Sequence, residues 1–150
     1  MRGHPTIALP RPMLGRTEPH FSLAGLKTAL RHEALARAPR SKKDIADLCA
    51  SFQEAVADIV RDRTARAMEI SIERLGAQAQ RALVVAGGVA ANKRLAAALE
   101  AVTRKHGFRL IVPPPALCTD NAAMIASAAR FTEAIPYPGY LALDAYASTA

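Results

Sequence analysis

The sequence has no tryptophan, only 5% aromatic residues and only two cysteines among its 150 residues. Two cysteines cannot supply the disulfide framework of a small secreted protein. Runs of 18 or more apolar residues are also missing, which excludes a transmembrane helix, and the first residues lack the apolar segment of a signal peptide. We therefore expect a cytoplasmic protein with no membrane partner.

The chain is nevertheless apolar enough to fold. Hydrophobic residues make up 51% of it, so burial can offset the entropy lost on ordering the backbone. Because aromatic residues are scarce, the core must consist largely of Ala, Val, Leu and Ile. The length corresponds to about one ordinary domain.

Positive charge is concentrated toward the N-terminus. Residues 1–40 carry seven basic and two acidic side chains, residues 41–110 carry twelve and eight, and residues 111–150 carry one and three, which gives a net charge of +7. A basic region of this kind can face the phosphates of a nucleic acid. The alternative is a solvated surface, since no basic run with interleaved aromatic residues occurs.

The N-terminal region combines a proline-rich stretch with a helical pattern. Residues 1–20 hold four prolines around the short apolar run Thr6–Leu9, which predicts an entering linker or an edge strand. Leucines at helical spacing then predict a helix over 22–38.

A long second helix follows. Ser41 with Asp44 three residues later resembles a capping box, although a glutamate is usual at the second position. The apolar pattern continues to about Leu75, where Gly76 is suited to end the helix. Cys49 falls on the apolar face, so we expect it in the core.

The second half of the chain alternates between strand and helix patterns. The apolar runs 82–86 and 108–112 predict strands, the first of them buried on both faces. Helices are expected over 92–106 and 121–132, and 134–150 is expected to be an irregular tail. This order predicts a βαβα unit with a parallel pair of strands.

The end of the first strand is a candidate binding site, because ligands of open parallel sheets bind at the carboxyl ends of the strands. Gly87 and Gly88 let the backbone turn tightly and approach a ligand, and the following helix offers free N–H groups to an anion. Asn92 can either cap that helix or present its amide to a sugar or phosphate oxygen. The alternative is a plain turn from strand to helix. The pattern is neither a P-loop nor the dinucleotide fingerprint.

The end of the second strand is followed by Asp120. At a helix start an aspartate is either an N-cap or a ligand of a metal ion that also touches phosphate oxygens. The four histidines lack the spacing of a zinc protease. Cys118 precedes a helix N-terminus, but no histidine base is near it in sequence, which disfavours a nucleophilic role.

Three motifs, in this order and spacing, resemble the tRNA threonylcarbamoyladenosine transferase family, formerly described as O-sialoglycoprotein endopeptidases. The segment Ser51–Val56 between the first two is also similar to that family. Each motif alone is weak, whereas the ordered set is specific. The motifs are Phe21-Ser22-Leu23-Ala24-Gly25-Leu26-Lys27-Thr28, Val84-Val85-Ala86-Gly87-Gly88-Val89-Ala90-Ala91-Asn92 and Cys118-Thr119-Asp120-Asn121-Ala122-Ala123-Met124-Ile125-Ala126.

The resemblance implies a fold and an activity. The fold is the two-lobe actin-like and Hsp70-like ATPase fold, which is ribonuclease H-like, and residues 1–150 would be part of its C-terminal lobe. The activity is the metal-dependent transfer of threonylcarbamoyl from threonylcarbamoyl-AMP to the exocyclic amine of the adenosine next to the tRNA anticodon.

Carried over to this sequence, the resemblance assigns site residues and partners. Gly87, Gly88 and Asn92 would contact the nucleotide or adenylate, and Asp120 would be a ligand of one divalent metal ion, either iron, zinc or magnesium. The implied partners are tRNA, an adenylate-forming enzyme, a P-loop ATPase and a paralogous noncatalytic subunit. Arg11 and other basic residues of the N-terminal third, namely Arg16, Lys27 and Arg31, are candidates for contact with the tRNA backbone.

The sequence also departs from the family. Ala24 replaces a usual serine, and the paired metal-binding histidines of the preceding lobe are not among these residues. We therefore expect the chain to be an incomplete part, inactive by itself, of a longer enzyme. One alternative is a noncatalytic module that binds a nucleotide or docks onto a related subunit. Another is a kinase lobe of the same ATPase superfamily, which the motif around Asp120 disfavours.

Overall fold

The computed structural model describes residues 3–38, 41–76, 80–114, 117–118 and 122–144. The chain divides into two compact units, Met1–Cys118 and Thr119–Ala150. The first unit is α/β, as expected. Its elements in chain order are α1 (Ala24–Arg37), α2 (Lys42–Leu75), β1 (Ala82–Val84), a 3₁₀ turn (Gly88–Ala91), α3 (Lys93–His106) and β2 (Arg109–Ile111).

Helix α2 begins and ends at the residues that the sequence predicts. Ser41 Oγ accepts from the Asp44 N–H at 3.1 Å, and Asp44 Oδ2 accepts from the Ser41 N–H at the same distance, which completes the capping box. At the other end, Gly76 has a φ of 73°, and its N–H donates to the Ile72 carbonyl. These caps satisfy backbone groups that would otherwise lack partners, and they fix the length of the helix at 34 residues.

The core of the first unit lies on two sides of α2. One cluster joins α1 and the N-terminal residues to α2, and a second joins α3 to α2. Burying each leucine or isoleucine contributes about 1.5–3 kcal/mol. The buried members are Leu9, Leu26, Ala55 and Ile59 in the first cluster and Ala57, Leu95 and Ala98 in the second.

The leucine pattern that predicts α1 is buried at a single position. Leu26 is fully buried, whereas Leu23 is 42% and Leu35 is 70% exposed. Leu30 is partly buried and packs against the same cluster, so helix α1 rests on α2 through Leu26 and Leu30.

The sheet consists of β1 and β2, paired in parallel with Leu83 opposite Leu110. The prediction of a strand buried on both faces is wrong for β1. Val85 and Leu110 line an apolar hollow together with residues of α3, but Val84 on the other face is 64% exposed. Alternate residues of a strand face opposite sides, and in the part of the chain that the structure describes only one side is covered by helices.

Residues 4–18, which we call the N-terminal segment, form no strand. Of the two expectations for the run Thr6–Leu9, the edge strand is therefore wrong. The segment lies along α2 instead, and Leu9 is only 4% exposed. Polar groups of α2 bind its backbone at intervals. Asp47 accepts from the His4 N–H (2.7 Å), Ser51 Oγ accepts from the Ile7 N–H (3.0 Å), Asp62 accepts from the Gly15 N–H (3.1 Å), and Arg66 Nε donates to the Thr17 carbonyl (2.6 Å).

A buried arginine anchors the end of the N-terminal segment. Arg63 is 1% exposed, and its Nη1 donates to the carbonyls of Arg16 at 2.8 Å and Glu18 at 2.7 Å. Its other nitrogens form an ion pair with Asp62. Because its donors meet carboxylate and carbonyl oxygens, the guanidinium is buried without unsatisfied groups.

Cys49 is exposed, so the prediction that it lies in the core is wrong. The buried stripe of α2 in this region runs through Leu48, Ser51, Ala55 and Ile59. Cys49 is the next residue after Leu48 and is therefore rotated about 100° away from that stripe. The small residues of the stripe are ones that a search for large apolar side chains misses.

The second unit contains helix α4 (Ala122–Ala128) and two 3₁₀ turns, Ala129–Phe131 and Gly139–Ala142. The helix expected over 121–132 is confirmed for seven residues, and it continues as a 3₁₀ turn. In the tail the rings of Tyr137 and Tyr140 lie 5.9 Å apart at a tilt of 59°. No helix among the described residues is long and apolar enough to span a bilayer.

Candidate functional site

The turn after β1 has a backbone shape that requires glycine. Gly87 has φ 86° and ψ 170°, a conformation that side chains with a Cβ disfavour. A Cβ placed on Gly87 or Gly88 would meet no described protein atom within 4 Å, so the space in front of both residues is open. The glycine at position 87 therefore follows from backbone shape, and the open space leaves room for a ligand.

A 3₁₀ turn that begins at Gly88 separates Gly87 from the helix. Gly88–Ala91 form this turn, with the Asn92 N–H donating to the Val89 carbonyl at 3.0 Å, and α3 begins only at Lys93. The expectation of free N–H groups is wrong for Ala90, Asn92, Arg94 and Leu95, whose N–H groups all have acceptors in the turn or at the start of α3.

Asn92 is the N-cap of α3. Its Oδ1 accepts from the N–H groups of Arg94 at 3.0 Å and Leu95 at 3.2 Å. Of the two sequence-based expectations for Asn92, the cap is therefore confirmed. The same oxygen also accepts from Nε2 of Gln53 in α2, at 2.9 Å.

A second contact from α2 reaches the first turn of α3. Arg94 donates through Nε to Glu54 Oε2 at 2.7 Å and through Nη2 to Glu54 Oε1 at 2.5 Å. This fork geometry is the strongest form of such a pair. The Arg94 guanidinium beside Glu54 holds the pKa of that carboxyl below its usual value, and the carboxylate raises the pKa of Arg94. Both side chains remain about a third exposed, at 35% and 30%.

Gln53, Glu54 and Arg94 are site residues that sequence reasoning did not single out. The only signal for Gln53 and Glu54 in the sequence is that the segment Ser51–Val56 resembles the family, and this resemblance implies no role for either residue. Nothing local indicates that residues 53 and 54 meet residues 92 and 94, because the pairs are 39 and 40 positions apart.

An apolar hollow of about 120 Å³ adjoins the turn. Its walls come from the two residues after β1, the 3₁₀ turn, α3, the strand β2 and Val60 of α2. A surface of this kind suits the flat apolar part of a ligand whose polar atoms face the turn. The lining includes Val85, Ala86, Val89, Ala90, Leu95 and Leu99.

Asp120, the predicted metal ligand, lies outside the described residues. Cys118 is buried, and its thiol lies 3.4 Å from the Pro113 carbonyl. Among the residues that the structure covers, no three histidine, cysteine, aspartate or glutamate side chains come together as a metal site. The described residues therefore do not fit a metal ion, and we derive no chemical step through one.

Some of the basic residues proposed to contact RNA are paired within the protein, and others are exposed to solvent. Arg11 binds Asp58 through Nε and Nη2 at 3.1 and 3.0 Å, and it also donates to the Leu9 carbonyl. Its guanidinium is thus engaged within the protein. Lys27 and Arg31 on α1 are exposed, as is the side chain of Arg16.

Comparison with known proteins gives a consistent result. A sequence model of the family described as TsaD, tRNA N6-adenosine threonylcarbamoyltransferase, matches residues 1–127. Proteins of the same name are 57% identical over 120 residues in Bradyrhizobium sp. (strain BTAi1), covering 80% of this chain and 33% of the relative, and 51% identical over 144 residues in Brucella anthropi, covering 95% and 40%. The chain thus spans roughly a third to two fifths of the length of these relatives. On this evidence the chain belongs to the tRNA N6-adenosine threonylcarbamoyltransferase family, whose members are named as transferases.

Proposed function

We propose that this chain is part of the C-terminal lobe of an actin-like enzyme that modifies tRNA. The enzyme transfers threonylcarbamoyl from threonylcarbamoyl-AMP to the exocyclic amine of the adenosine next to the anticodon. The observation that carries the proposal is the family match over residues 1–127. The α/β first unit with its parallel strand pair is consistent with the fold.

In this proposal the turn at Gly87–Asn92 binds the adenylate. The open backbone at Gly87 and Gly88 admits a phosphate or ribose, and the positive end of the α3 helix dipole favours a negative charge there. The apolar hollow beside the turn takes the flat part of the ligand.

The reaction needs positioning more than covalent chemistry from this chain. The adenosine amine attacks the carbamoyl carbon, a C–N bond forms, and the C–O bond to the phosphate breaks so that AMP leaves with the electron pair. The amine proton passes to solvent. Holding the donor at the turn places its acyl carbon for attack, which supplies most of the rate in such a reaction.

The remaining expectations from the resemblance stay proposals. We propose Asp120 as one ligand of a divalent iron, zinc or magnesium ion whose other ligands come from outside these 150 residues. The partners are tRNA, an adenylate-forming enzyme, a P-loop ATPase and a paralogous noncatalytic subunit, in the cytoplasm. Lys27 and Arg31 are better placed than Arg11 to meet RNA, because Arg11 is paired with Asp58.

The test uses the protein at the length at which its native cell makes it. Asp120→Asn keeps the capping ability of the residue but removes its charge, so a mere N-cap would tolerate it. We expect loss of threonylcarbamoyl transfer to tRNA and a loss of bound metal, with an unchanged melting temperature. Glu133→Gln, in the same unit, is the charge-matched control and should transfer normally. Normal transfer by Asp120→Asn would refute the assignment.

An uncovered sheet face supports the alternative of a noncatalytic docking module. Val84 on that face is 64% exposed, which is unusual for a strand of a parallel sheet. The intact mass of the native product separates the two functions. A product about twice to three times as long as this chain supports the transferase, whereas a product of 16.0 kDa that binds a related subunit and transfers nothing supports the module.

A further inference from the structure

The side-chain amide of Asn92 is held from two directions. Its Oδ1 accepts three hydrogen bonds, from the N–H groups of Arg94 and Leu95 at 3.0 and 3.2 Å and from Gln53 Nε2 at 2.9 Å. An amide oxygen has two lone pairs, so its capacity is filled. The oxygen therefore has no role left toward a ligand.

The other end of the amide is free. Among the described residues, none accepts a hydrogen bond from Asn92 Nδ2. Asn92 is only partly buried, so the NH₂ group remains accessible. The group that this residue offers to a ligand is a donor, and its complement must be an acceptor such as a hydroxyl, a ring nitrogen or a phosphate oxygen.

Gln53 links the Asn92 amide to a second helix, which the capping hydrogen bonds alone do not do. The two backbone donors belong to α3 and move with it, whereas Gln53 belongs to α2, which is capped at both ends and packed on two sides. Its hydrogen bond ties the orientation of the amide to a separate element. If the amide turned over, Nδ2 would face three donors, so all three contacts oppose that rotation.

We propose that Gln53 is a positioning residue that holds the Asn92 amide with its NH₂ group toward the bound nucleotide. The inference rests on the proposed function, in which Gly87–Asn92 bind an adenylate. It gives Gln53 a role in ligand recognition although this side chain does not itself contact the ligand.

The test replaces the donor by an acceptor. In Gln53→Glu, a carboxylate faces Asn92 Oδ1, so repulsion turns the amide away from its binding orientation. With AMP as probe and the native-length protein, we expect the Kd and the KM for the adenylate donor to rise about fivefold to tenfold, and kcat to change less. Gln80→Glu, which makes the same charge change before β1, is the matched control and should bind AMP normally. Gln53→Met, which lacks any donor, is the second variant should the first not fold.

The pH profile separates positioning from a general structural role. Acid protonates the introduced carboxyl of Gln53→Glu and gives it an O–H donor, so AMP affinity relative to wild type should recover as the pH falls. Affinity equal to wild type in both Gln53 variants overturns the inference. If AMP binding is then still weakened by Asn92→Asp, the proposed function stands without it. If the wild-type protein binds no AMP, both are refuted.

Discussion

Helix α2 makes two different kinds of contact on its two sides. Toward the N-terminal segment, most polar contacts of α2 are with backbone atoms, as for Arg63 with the carbonyls of Arg16 and Glu18, and the pair of Asp58 with Arg11 is the exception among the described contacts. Toward the candidate site, Gln53 and Glu54 bind other side chains. A contact with the backbone depends on one side chain only, whereas a contact between side chains depends on both. The first kind serves stability, and the second makes the site sensitive to substitutions in α2.

The largest effect is expected at the buried anchor. Arg63→Ala removes a buried side chain and leaves the carbonyls of Arg16 and Glu18 without their donor, so the free energy of unfolding should fall by about 2–4 kcal/mol. Denaturant unfolding measures it. Arg61→Ala, which breaks an exposed pair with Asp58, is the control and should cost less than about 1 kcal/mol. Equal losses would remove the distinction between the buried and the exposed arginine.

Two substitutions of Asn92 separate the cap from ligand binding. Asn92→Ala removes the cap and should lower the free energy of unfolding by about 1 kcal/mol. Asn92→Asp still caps α3, so stability should change by less than about 0.5 kcal/mol, but it loses the NH₂ donor. AMP titration should show weakened binding in both variants. Undiminished affinity in Asn92→Asp would mean that the residue is only a cap.

The pair of Glu54 and Arg94 should contribute less to the stability of the fold than to the position of the first turn of α3. Glu54→Gln removes a partly exposed ion pair, and we expect a loss of about 1 kcal/mol or less in thermal denaturation. AMP affinity should also fall, because the first turn of α3 loses one of its polar links to α2 and keeps the one from Gln53. Glu33→Gln breaks a pair within α1 as the control and should leave AMP binding intact. A change of the same size in both variants would contradict a special role for the pair.

The smallest effect is a pH dependence. Arg94 lowers the folded-state pKa of Glu54 below the ordinary 4.5, so the pair contributes fully above that value and its contribution is lost as the pH falls through the folded pKa. The difference in the free energy of unfolding between wild type and Glu54→Gln should therefore be smaller at acid pH than at neutral pH. A constant difference across this range would show that the pair does not titrate as described.

Local signals in the sequence were sufficient for the helices and insufficient for the contacts between them. The capping box at Ser41, the stop at Gly76 and the cap at Asn92 lie within a few residues of the features they determine. The exposure of Cys49 and of one sheet face depends on which distant elements pack there. Large apolar residues such as Leu48 and Ile59 indicated part of the core side of α2, and the rest was missed because it is built from alanine, serine and an arginine.

For the candidate site, too, the sequence predicts the residues with local signals and misses those brought in from a distant part of the chain. The glycine turn and Asn92 are recognisable because each has a local backbone reason. Gln53 and Glu54 are not, since their partners lie about 40 positions away along the chain and only the fold brings them together.

The central claim is that the turn at Gly87–Asn92, held by α2, binds an adenylate. Backbone amide chemical shifts of the ¹⁵N-labelled native-length protein during titration with AMP test it most directly. We predict saturable shifts at Gly87, Gly88, Asn92 and Arg94, and none in the N-terminal segment. Shifts confined to other regions, or no shifts at millimolar AMP, would contradict the account.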